Sequence, residues 1–433
     1  MKLTKRLNHI IKYSSVLAVS LLLMNGSHAQ SLTIEDCQQK AEQLSPLKKQ
    51  EQYIKSIDEL NQQIVRTNWL PGINFQGRAT YQSDVFKLPI DNPMFEVPDI
   101  PKDQYQLTLN LNQTIYDGGA TRAANILENT KTTSKSAQLE VSLYQVRKVI
   151  NDLYFGILSL NKSLEINQAV LKELDNQIRR GESAVKNGVL LARELKSLQK
   201  QKLSFLQQQN ELKLKRGALL NILGDWIGEP LNANTVLTLP EIEKVNTSIS
   251  RPELMVFSTQ MQQLDAQQSI LSSRYKPKLA AFATAGFGNP NQYNFFETDW
   301  STYYMIGGEL SWSPWDWNKT RKQQEILSIN QQIIKTEREN FEKNVNNQLI
   351  QQQSEIELLQ ESLSTDQELV MLQKDITETA ASQFEKGVIS ATDYLTELNE
   401  LTRTQLQYRL HQIQLVKSYL TKQNIAGTPF ADR

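Results

Sequence analysis

Apolar and polar residues alternate along four short stretches of the chain. A period of two places successive side chains on opposite faces of a β-strand, so each stretch predicts a strand with one apolar face. Each has about ten residues, the length that a tilted strand needs to cross a bilayer. The apolar positions are Ile73, Phe75, Gly77, Ala79 and Tyr81; Tyr105, Leu107, Leu109, Leu111 and Ile115; Leu279, Ala281, Ala283, Ala285 and Phe287; and Ile306, Leu310 and Trp312.

Aromatic residues cluster at the ends of these stretches, where the girdles of membrane strands lie. They are Trp69, Tyr81, Tyr105, Tyr116, Tyr275, Trp300, Trp312 and Trp315. The alternation alone fits a small soluble sandwich with one buried face equally well. An open sheet edge cannot stand in lipid, because its backbone groups stay unpaired. Membrane strands would therefore require several protomers to share one barrel, and three protomers would supply twelve strands.

A second pattern, with apolar residues spaced by four and three, follows the strands and predicts long coiled-coil helices. The segment from Ala120 to about Lys186 contains no proline and predicts one helix about 100 Å long. A return helix is predicted from about Leu191 to Leu223, and a helix of about 37 residues from Thr33 to Trp69, with Pro46 near its first turns. The seam of the outgoing helix comprises Leu153, Ile157, Leu160, Leu164, Asn167, Leu171, Leu174 and Ile178.

The two halves of the chain repeat each other, as arrays of one structural unit do. Asp117 and Gly188 are 71 residues apart, and so are Asp316 and Gly387, so a single offset of 199 relates both landmarks. A gapless match between two different kinds of landmark indicates a duplication. It also predicts that both copies carry helices of the same length.

Upstream of these helices the two copies differ in length. Pro71 matches Pro277 at an offset of 206, which leaves seven extra residues in a proline-rich stretch that predicts a longer loop. The predicted organisation is a signal peptide (1–29), a first repeat (30–223), an inter-repeat segment (224–250), a second repeat (251–424) and a C-terminal tail (425–433).

Charge and targeting narrow the class of protein. The 47 basic residues balance the 47 acidic ones, which argues against nucleic acid as the main partner. A basic start, an apolar run from Val16 to Met24 and Ser27-His28-Ala29 predict a signal peptide that is cleaved near Gln30. No later stretch reaches the roughly 20 apolar residues of a spanning helix. We therefore expect an exported chain that enters a membrane only as strands.

After the predicted signal peptide, the chain contains few of the cysteine and histidine residues that commonly act in catalysis or bind metals. Cys37 is the single cysteine, and His411 is the only histidine after the signal peptide. A Ser-His-Asp triad or a His/Cys metal cluster is therefore not expected, and no phosphate-binding or dinucleotide-binding motif occurs. We predict no catalytic residues, no metal and no cofactor. A two-carboxylate hydrolase remains an alternative, because acidic residues are plentiful.

Several motifs occur in a fixed order: Leu107 through Gly119 before a helix, the Lys-Asn-Gly-Val and Lys-Gly-Val turns, and Arg251-Pro252-Glu253-Leu254 at the start of the second copy. With the duplication, this set resembles TolC-type outer-membrane efflux proteins over essentially the whole mature chain. The resemblance implies an α+β membrane protein with long antiparallel coiled-coil hairpins and four transmembrane β-strands per protomer. A homotrimer would form a shared 12-stranded barrel and a helical tunnel, with residues 224–250 in an equatorial band.

The same resemblance implies a function and partners. The protein would lie in the outer membrane, in contact with its lipid, and extend into the periplasm. It would be the passive exit duct of a tripartite efflux or type I secretion system. Its partners would be a periplasmic adaptor (membrane fusion) protein and an inner-membrane pump of the RND or ABC type. The alternative is a soluble periplasmic coiled-coil scaffold or binding protein.

The resemblance also implies functional residues at the periplasmic tip, where the hairpins turn. The adaptor-docking candidates are Gly188, Val189, Gly387 and Val388, and the gate candidates are Asp393, Thr396, Glu397 and Glu194. In the family an acidic ring constricts the entrance. Its first position matches Asp393, but its second acidic position is Thr396 here, which weakens a two-tier acidic ring.

Local chemistry gives these acids a second interpretation. Ser390 and Asp393 have the spacing of a capping box, so Asp393 is a cap, a gate or both. Glu194 follows Leu191 in the capping position, so the capping interpretation is weaker there. At the strand-to-helix junctions, formed by Asp117, Gly118, Gly119 and Asp316, the two aspartates are predicted to cap the long helices.

Overall fold

The structure is a computed structural model that describes residues 31–86, 99–241, 248–294 and 297–427. The predicted signal peptide lies outside the described residues, as do most of the predicted proline-rich loop and residues 428–433 of the predicted tail.

Seven α-helices and four β-strands follow one another along the described chain, in an order that the second half repeats. They are α1 (Ile34–Leu44), α2 (Gln50–Thr67), β1 (Gly72–Tyr81), β2 (Asp103–Tyr116), α3 (Ala120–Lys186), α4 (Ala192–Ile227), α5 (Pro252–Ser272), β3 (Lys278–Asn289), β4 (Ser301–Ser311), α6 (Lys319–Glu385) and α7 (Ala391–Ala426). Short 3₁₀ turns lie at Pro46–Lys49 and Ser273–Tyr275.

The duplication is visible in the helix boundaries. Helices α3 and α6 each have 67 residues, and α4 and α7 each have 36. Each boundary of α3 and α4 recurs 199 residues later in α6 and α7, and so does the left-handed glycine that ends each return helix, Gly228 and Gly427. The predicted bounds of the first outgoing helix, Ala120 and Lys186, are confirmed.

The predicted helix from Thr33 to Trp69 is not continuous, because it is interrupted between Leu44 and Gln50. The chain leaves the helical conformation at Ser45 (φ −55°, ψ 130°), and Pro46 starts a 3₁₀ turn before α2 begins. The ring of a proline disfavours the α conformation in the residue before it, and proline cannot donate the hydrogen bond that would continue the helix. The first return helix also differs from its prediction, because it continues past Leu223 to Ile227.

The four strands form one antiparallel sheet in the order β1-β2-β3-β4. Its register places predicted apolar positions next to one another across all four strands, as in the row Ile73, Leu111, Ala283 and Ile306. Ile73 is 69% exposed and Ile306 is 76% exposed. The sheet therefore carries one continuous apolar face that the chain itself does not cover.

The hairpins differ where the sequence predicts that they do. The connection from β1 to β2 runs over residues 82–102, whereas that from β3 to β4 runs over 290–300. The register of β2 shifts between Thr114 and Tyr116, so Ile115 is the extra residue of a bulge. The regular alternation of side chains along β2 therefore ends at Thr114, before the strand reaches Asp117.

The chain divides into two compact units. One unit comprises Lys49–Ser142 and Ser250–Asn346, and it contains the sheet, α2 and α5. The other comprises the described parts of Met1–Lys48, Leu143–Ile249 and Asn347–Arg433, and it contains both helical turns. The outgoing helices α3 and α6 contribute residues to both units.

The helical unit has a core around Tyr154, which is fully buried. Its hydroxyl lies 2.8 Å from the carbonyl oxygen of Leu32 and 2.6 Å from that of Thr238. Leu32 also donates a backbone hydrogen bond to Val236 and forms a parallel bridge with Leu237. The residues that follow the predicted signal peptide are thereby held against the inter-repeat segment.

Within the described residues, no helix combines the length and apolar character that crossing a membrane requires.

Candidate functional site

The two helical turns of the helical unit have the same backbone geometry. Gly188 (φ 74°) and Gly387 (φ 73°) adopt the left-handed conformation that glycine adopts without strain. The amide of Val189 bonds to Ala184 and that of Gly188 to Val185, and the second turn repeats this pair of bonds. These are Schellman motifs, which satisfy the last carbonyls of a helix and reverse the chain.

Glycine is required at these two turns by the positive φ and not by lack of space, because a methyl group at either position would meet nothing within 4 Å. The valines that follow them, Val189 and Val388, are 70% and 69% exposed. Each turn therefore presents an exposed apolar side chain.

Glu194 connects the two hairpins. It is only 7% exposed, and its Oε2 accepts a hydrogen bond of 2.9 Å from the amide of Ala391, the first residue of α7. Oε1 accepts one from Arg193. The bond from the Ala391 amide, followed by that from Arg193, holds the pKa of Glu194 below its ordinary value. A carboxylate of the first copy thus caps a helix of the second, which is favourable at a helix N-terminus.

Asp393 belongs to the capping box of α7. Its carboxylate accepts hydrogen bonds from the Ser390 amide (3.0 Å) and hydroxyl (2.7 Å), and the Ser390 hydroxyl accepts from the Asp393 amide (3.2 Å). The Ser390 hydroxyl is the main cause of the lowered pKa of Asp393. Since Asp393 is exposed, the cap leaves the negative charge accessible to solvent.

The two remaining gate candidates are occupied by bonds within the second copy. Thr396 is exposed, and its hydroxyl donates to the carbonyl of Thr392 at 3.0 Å. Glu397 is half-buried and accepts from the side chain of Gln373 at 2.7 Å. The structure therefore places Asp393 and Thr396 on an exposed surface, but Glu194 in the packing between the hairpins.

Further contacts between the hairpins were not anticipated from the sequence. Arg180 of the first hairpin forms an ion pair with Glu385 of the second. Within the second hairpin, Phe384 stacks on Tyr394 with ring centroids 5.6 Å apart. The Tyr394 hydroxyl lies 3.4 Å from Glu173. A groove of about 200 Å³ lies beside the ion pair. Its lining residues are Gln177, Arg180, Gly181, Ala184, Val189, Leu190, Phe384, Glu385 and Gly387.

An aspartate caps the long helix at the strand-to-helix junction of each copy. Asp117 accepts hydrogen bonds from the amides of Gly119 (2.8 Å) and Thr121 (2.6 Å) and so caps α3. Asp316 caps α6 in the same way, through the amide of Thr320 at 2.8 Å.

The residues after these two aspartates all have positive φ, but glycine occupies only the first copy. Gly118 and Gly119 follow Asp117, whereas Trp317 (φ 55°) and Asn318 (φ 62°) follow Asp316. The second copy therefore holds two side chains in a conformation that L residues rarely adopt.

Cys37 and His411 carry the most reactive side chains of the described chain, and both lie outside the helical turns. Cys37 is fully buried, and burial raises the pKa of its thiol to about 12. The Nδ1 atom of His411 lies 2.6 Å from a carboxylate oxygen of Asp366. Among the described residues, no group of histidine, cysteine and acidic side chains is arranged to hold a metal ion.

Comparison with known proteins bears on this arrangement. Residues 38–223 match the model of the outer membrane efflux protein family. This region belongs to the outer membrane efflux protein family. The matched region contains most of the first hairpin, with Gly188 and Glu194. The helices of the second hairpin begin and end 199 residues after those of the first. No curated protein sequence matches the chain.

Several solved outer membrane channels share the fold of this chain. VceC, an outer membrane protein of Vibrio cholerae, is 14% identical with a TM-score of 0.67 over 91% of this chain and 96% of its own. The CmeC outer membrane channel of Campylobacter jejuni is 15% identical with a TM-score of 0.62 over 92% and 87%. The open MtrE outer membrane channel of Neisseria gonorrhoeae is 14% identical with a TM-score of 0.67 over 91% and 88%.

Residues 38–223 resemble outer membrane efflux proteins, which are passive channels of the outer membrane. At these identities the solved channels add the fold, a helical part joined to a sheet, and nothing about cargo.

Proposed function

We propose that three copies of this chain form one passive exit duct, with a shared 12-stranded barrel in the outer membrane and a helical tunnel in the periplasm. The observation that carries this proposal is the four-stranded sheet. Strands β1 and β4 lie at its two edges, and a sheet with open edges is not tolerated in lipid. Pairing of β4 with β1 of the next copy removes both edges, and three copies close the ring.

The apolar face of the sheet supports a membrane position. Large apolar side chains on this face are exposed in a single copy, among them Phe75 (69%), Tyr304 (78%) and Leu310 (70%). In water a patch of this kind marks an interaction surface or an aggregation hazard. In a bilayer it is the lipid-facing surface of a barrel.

The helices beside the sheet edges support a head-to-tail ring. On α2, which leads into β1, Tyr53, Ile57, Leu60 and Ile64 follow a four-three spacing and are 42–64% exposed. On α6, which follows β4, Ile326, Ile329 and Ile333 do the same. A coiled-coil seam left open indicates a missing partner helix. The two open seams belong to opposite edges of the sheet, as a closed ring of identical copies requires.

The trimer is tested on the purified protein in detergent. Native mass spectrometry should give three times the mass of the mature chain, and the protein should conduct ions in planar bilayers. A monodisperse monomer that stays in solution without detergent and washes off membranes would instead establish the soluble periplasmic scaffold.

We also propose that the turns at Gly188 and Gly387 dock a periplasmic adaptor protein, in a tripartite efflux or type I secretion system driven by an RND or ABC pump. The exposed Val189 and Val388 and the groove beside Arg180 support this role. Val189→Asp and Val388→Asp should abolish co-purification of the adaptor without changing the mass of the trimer. Unchanged co-purification would exclude the turns as the docking site.

For the gate we propose that Asp393 supplies accessible negative charge at the entrance, beside Thr396 and Glu397, while Glu194 holds the hairpins together. Asp393→Asn should reduce block of the channel by multivalent cations. Ser390→Ala is the matched control, because it removes the capping hydroxyl but keeps the carboxylate. Equal effects of the two variants would leave Asp393 with the capping role alone.

A further inference from the structure

Helix α6 has one seam that its own protomer covers. In the helical unit the buried positions of α6 follow one another at spacings of three and four or their sums. They are Ile356, Leu359, Asp366, Thr377, Ala380 and Phe384. This is the side on which α6 packs within its own copy.

The same stretch of α6 carries a second seam that no described residue of the chain covers. Leu358 (59% exposed), Leu369 (46%), Leu372 (61%) and Ile376 (48%) also follow spacings of three and four or their sums, on another side of the helix. Acidic residues accompany this stripe: between 347 and 385, α6 has eight acidic residues and one basic residue. An apolar stripe with acidic flanks predicts an apolar partner with basic flanks.

Helix α4 carries the complementary surface. Its open seam follows the same spacing and comprises Lys196, Lys200, Leu203, Gln207, Asn210 and Leu214. Leu203 and Leu214 are 67% and 76% exposed. The whole helix has seven basic and three acidic residues. A single copy thus leaves one acidic and one basic seam uncovered, both within the helical unit.

Symmetry sets the register between the two seams. Copies related by one rotation axis lie at the same height along it, and the two turns end helices of equal length. Counting residues away from the turns, from Ala192 on α4 and from Glu385 on α6, places Leu203 at the height of residue 374. That height lies between Leu372 and Ile376. The two helices run antiparallel.

The charges agree with this register. Lys200 falls at the height of residue 377, between Asp375 and Glu378, which are both exposed. Lys213 falls at the height of residue 364, within one helical turn of Glu361. A parallel arrangement or a shifted register would lose these coincidences.

We propose that α6 of one copy packs antiparallel on α4 of the next copy, with Leu203 between Leu372 and Ile376 and Lys200 between Asp375 and Glu378. The inference rests on the proposed trimer and names the surface that closes it in the helical unit. Lys200 faces a neighbouring copy and not the cargo path.

Cysteine cross-linking tests the register. Leu203→Cys combined with Leu372→Cys should give covalent dimers and trimers on oxidation, which a thiol reductant reverses. The buried Cys37 thiol does not compete. The matched control combines Leu203→Cys with Lys374→Cys, an exposed position at the same height on another side of α6, and should remain monomeric on the gel.

Equal cross-linking of both pairs, or none in the Leu372 pair of a protein that is trimeric by native mass, would overturn the interface and leave the trimeric duct standing. A disulfide between the two introduced cysteines of the same copy, which would leave the protein monomeric on the gel, would also overturn the interface. A monomeric, non-conducting protein would overturn the proposed function itself.

Charge reversal gives a second readout. Lys200→Glu should lower the temperature at which trimer separates into monomer, and Glu378→Lys added to it should restore that temperature. If the single variant separates at the temperature of the unchanged protein, or if the second substitution lowers it further, the proposed charge pairing is wrong.

Discussion

Replacement of Glu194 removes the acceptor that holds the start of α7 against the first hairpin. Ala391 is fully buried, and its amide bonds to the Glu194 carboxylate at 2.9 Å. Glu194→Ala leaves this amide without that acceptor, which costs about 1–3 kcal/mol. The ion pair with Arg193 adds little, because the Arg193 side chain is 80% exposed.

The loss should appear as a shift between closed and open tips. If the bond exists only in the closed state, a loss of about 2 kcal/mol changes the ratio of closed to open channels roughly 30-fold. Single-channel recording in planar bilayers measures this ratio as open probability. Glu194→Gln should have a smaller effect, since its amide oxygen still accepts a hydrogen bond.

Glu182→Gln is the matched control, because Glu182 is an exposed acid of the same hairpin. It should leave open probability unchanged. The reasoning would be refuted if Glu194→Ala lowered the melting temperature of the trimer but left open probability at the control value. Glu194 would then support the fold without restraining the gate.

The same bond predicts a pH dependence. The pKa of Glu194 is lowered in the folded protein, so the stabilisation is fully present above the ordinary glutamate pKa of about 4.3 and is lost as the pH falls through the lowered value. Open probability should therefore be constant between neutral pH and about pH 5 and rise only in stronger acid. A rise near pH 6 would contradict this assignment.

Two further predictions concern the fold. Tyr154→Phe removes the hydroxyl between the carbonyls of Leu32 and Thr238 and should cost about 1–3 kcal/mol, measured as a lower midpoint of thermal melting; an unchanged midpoint would contradict the role of this contact. Gly118→Ala should destabilise more than Gly119→Ala in the same assay. Both sites have positive φ, which costs about 1–2 kcal/mol, but only at Gly118 does a new methyl group meet other atoms, at 2.9 Å; the reverse order would exclude steric crowding as the cause.

Much of the fold follows from the sequence, because the relevant interactions are local. The bounds of α3 follow from an aspartate that caps the helix, 67 residues without proline, and a glycine that ends the turn. Each of these acts on residues within one helical turn. Pro46 acts equally locally, and the break before α2 follows from it.

The strands follow from their period of two for the same reason. Alternation decides which residues share a face, and the apolar face of β1 needs no knowledge of its neighbour. The order β1-β2-β3-β4 is different. Pairing of β2 with β3 joins Leu111 to Ala283, which are far apart in the chain, and only the folded sheet brings them together.

The sequence by itself determined the duplication, the helix and strand periods and the turn glycines, because each is written in residues that interact with near neighbours. Only the tertiary structure decided what Glu194 does. In its own helix, α4, the capping position is occupied by the apolar Leu191, so the local sequence gives Glu194 no capping role. Its hydrogen-bond partner, the amide of Ala391, is 197 residues away in the chain. A buried bond between two hairpins depends on how they pack, and packing sums many weak contacts that no short stretch of sequence contains.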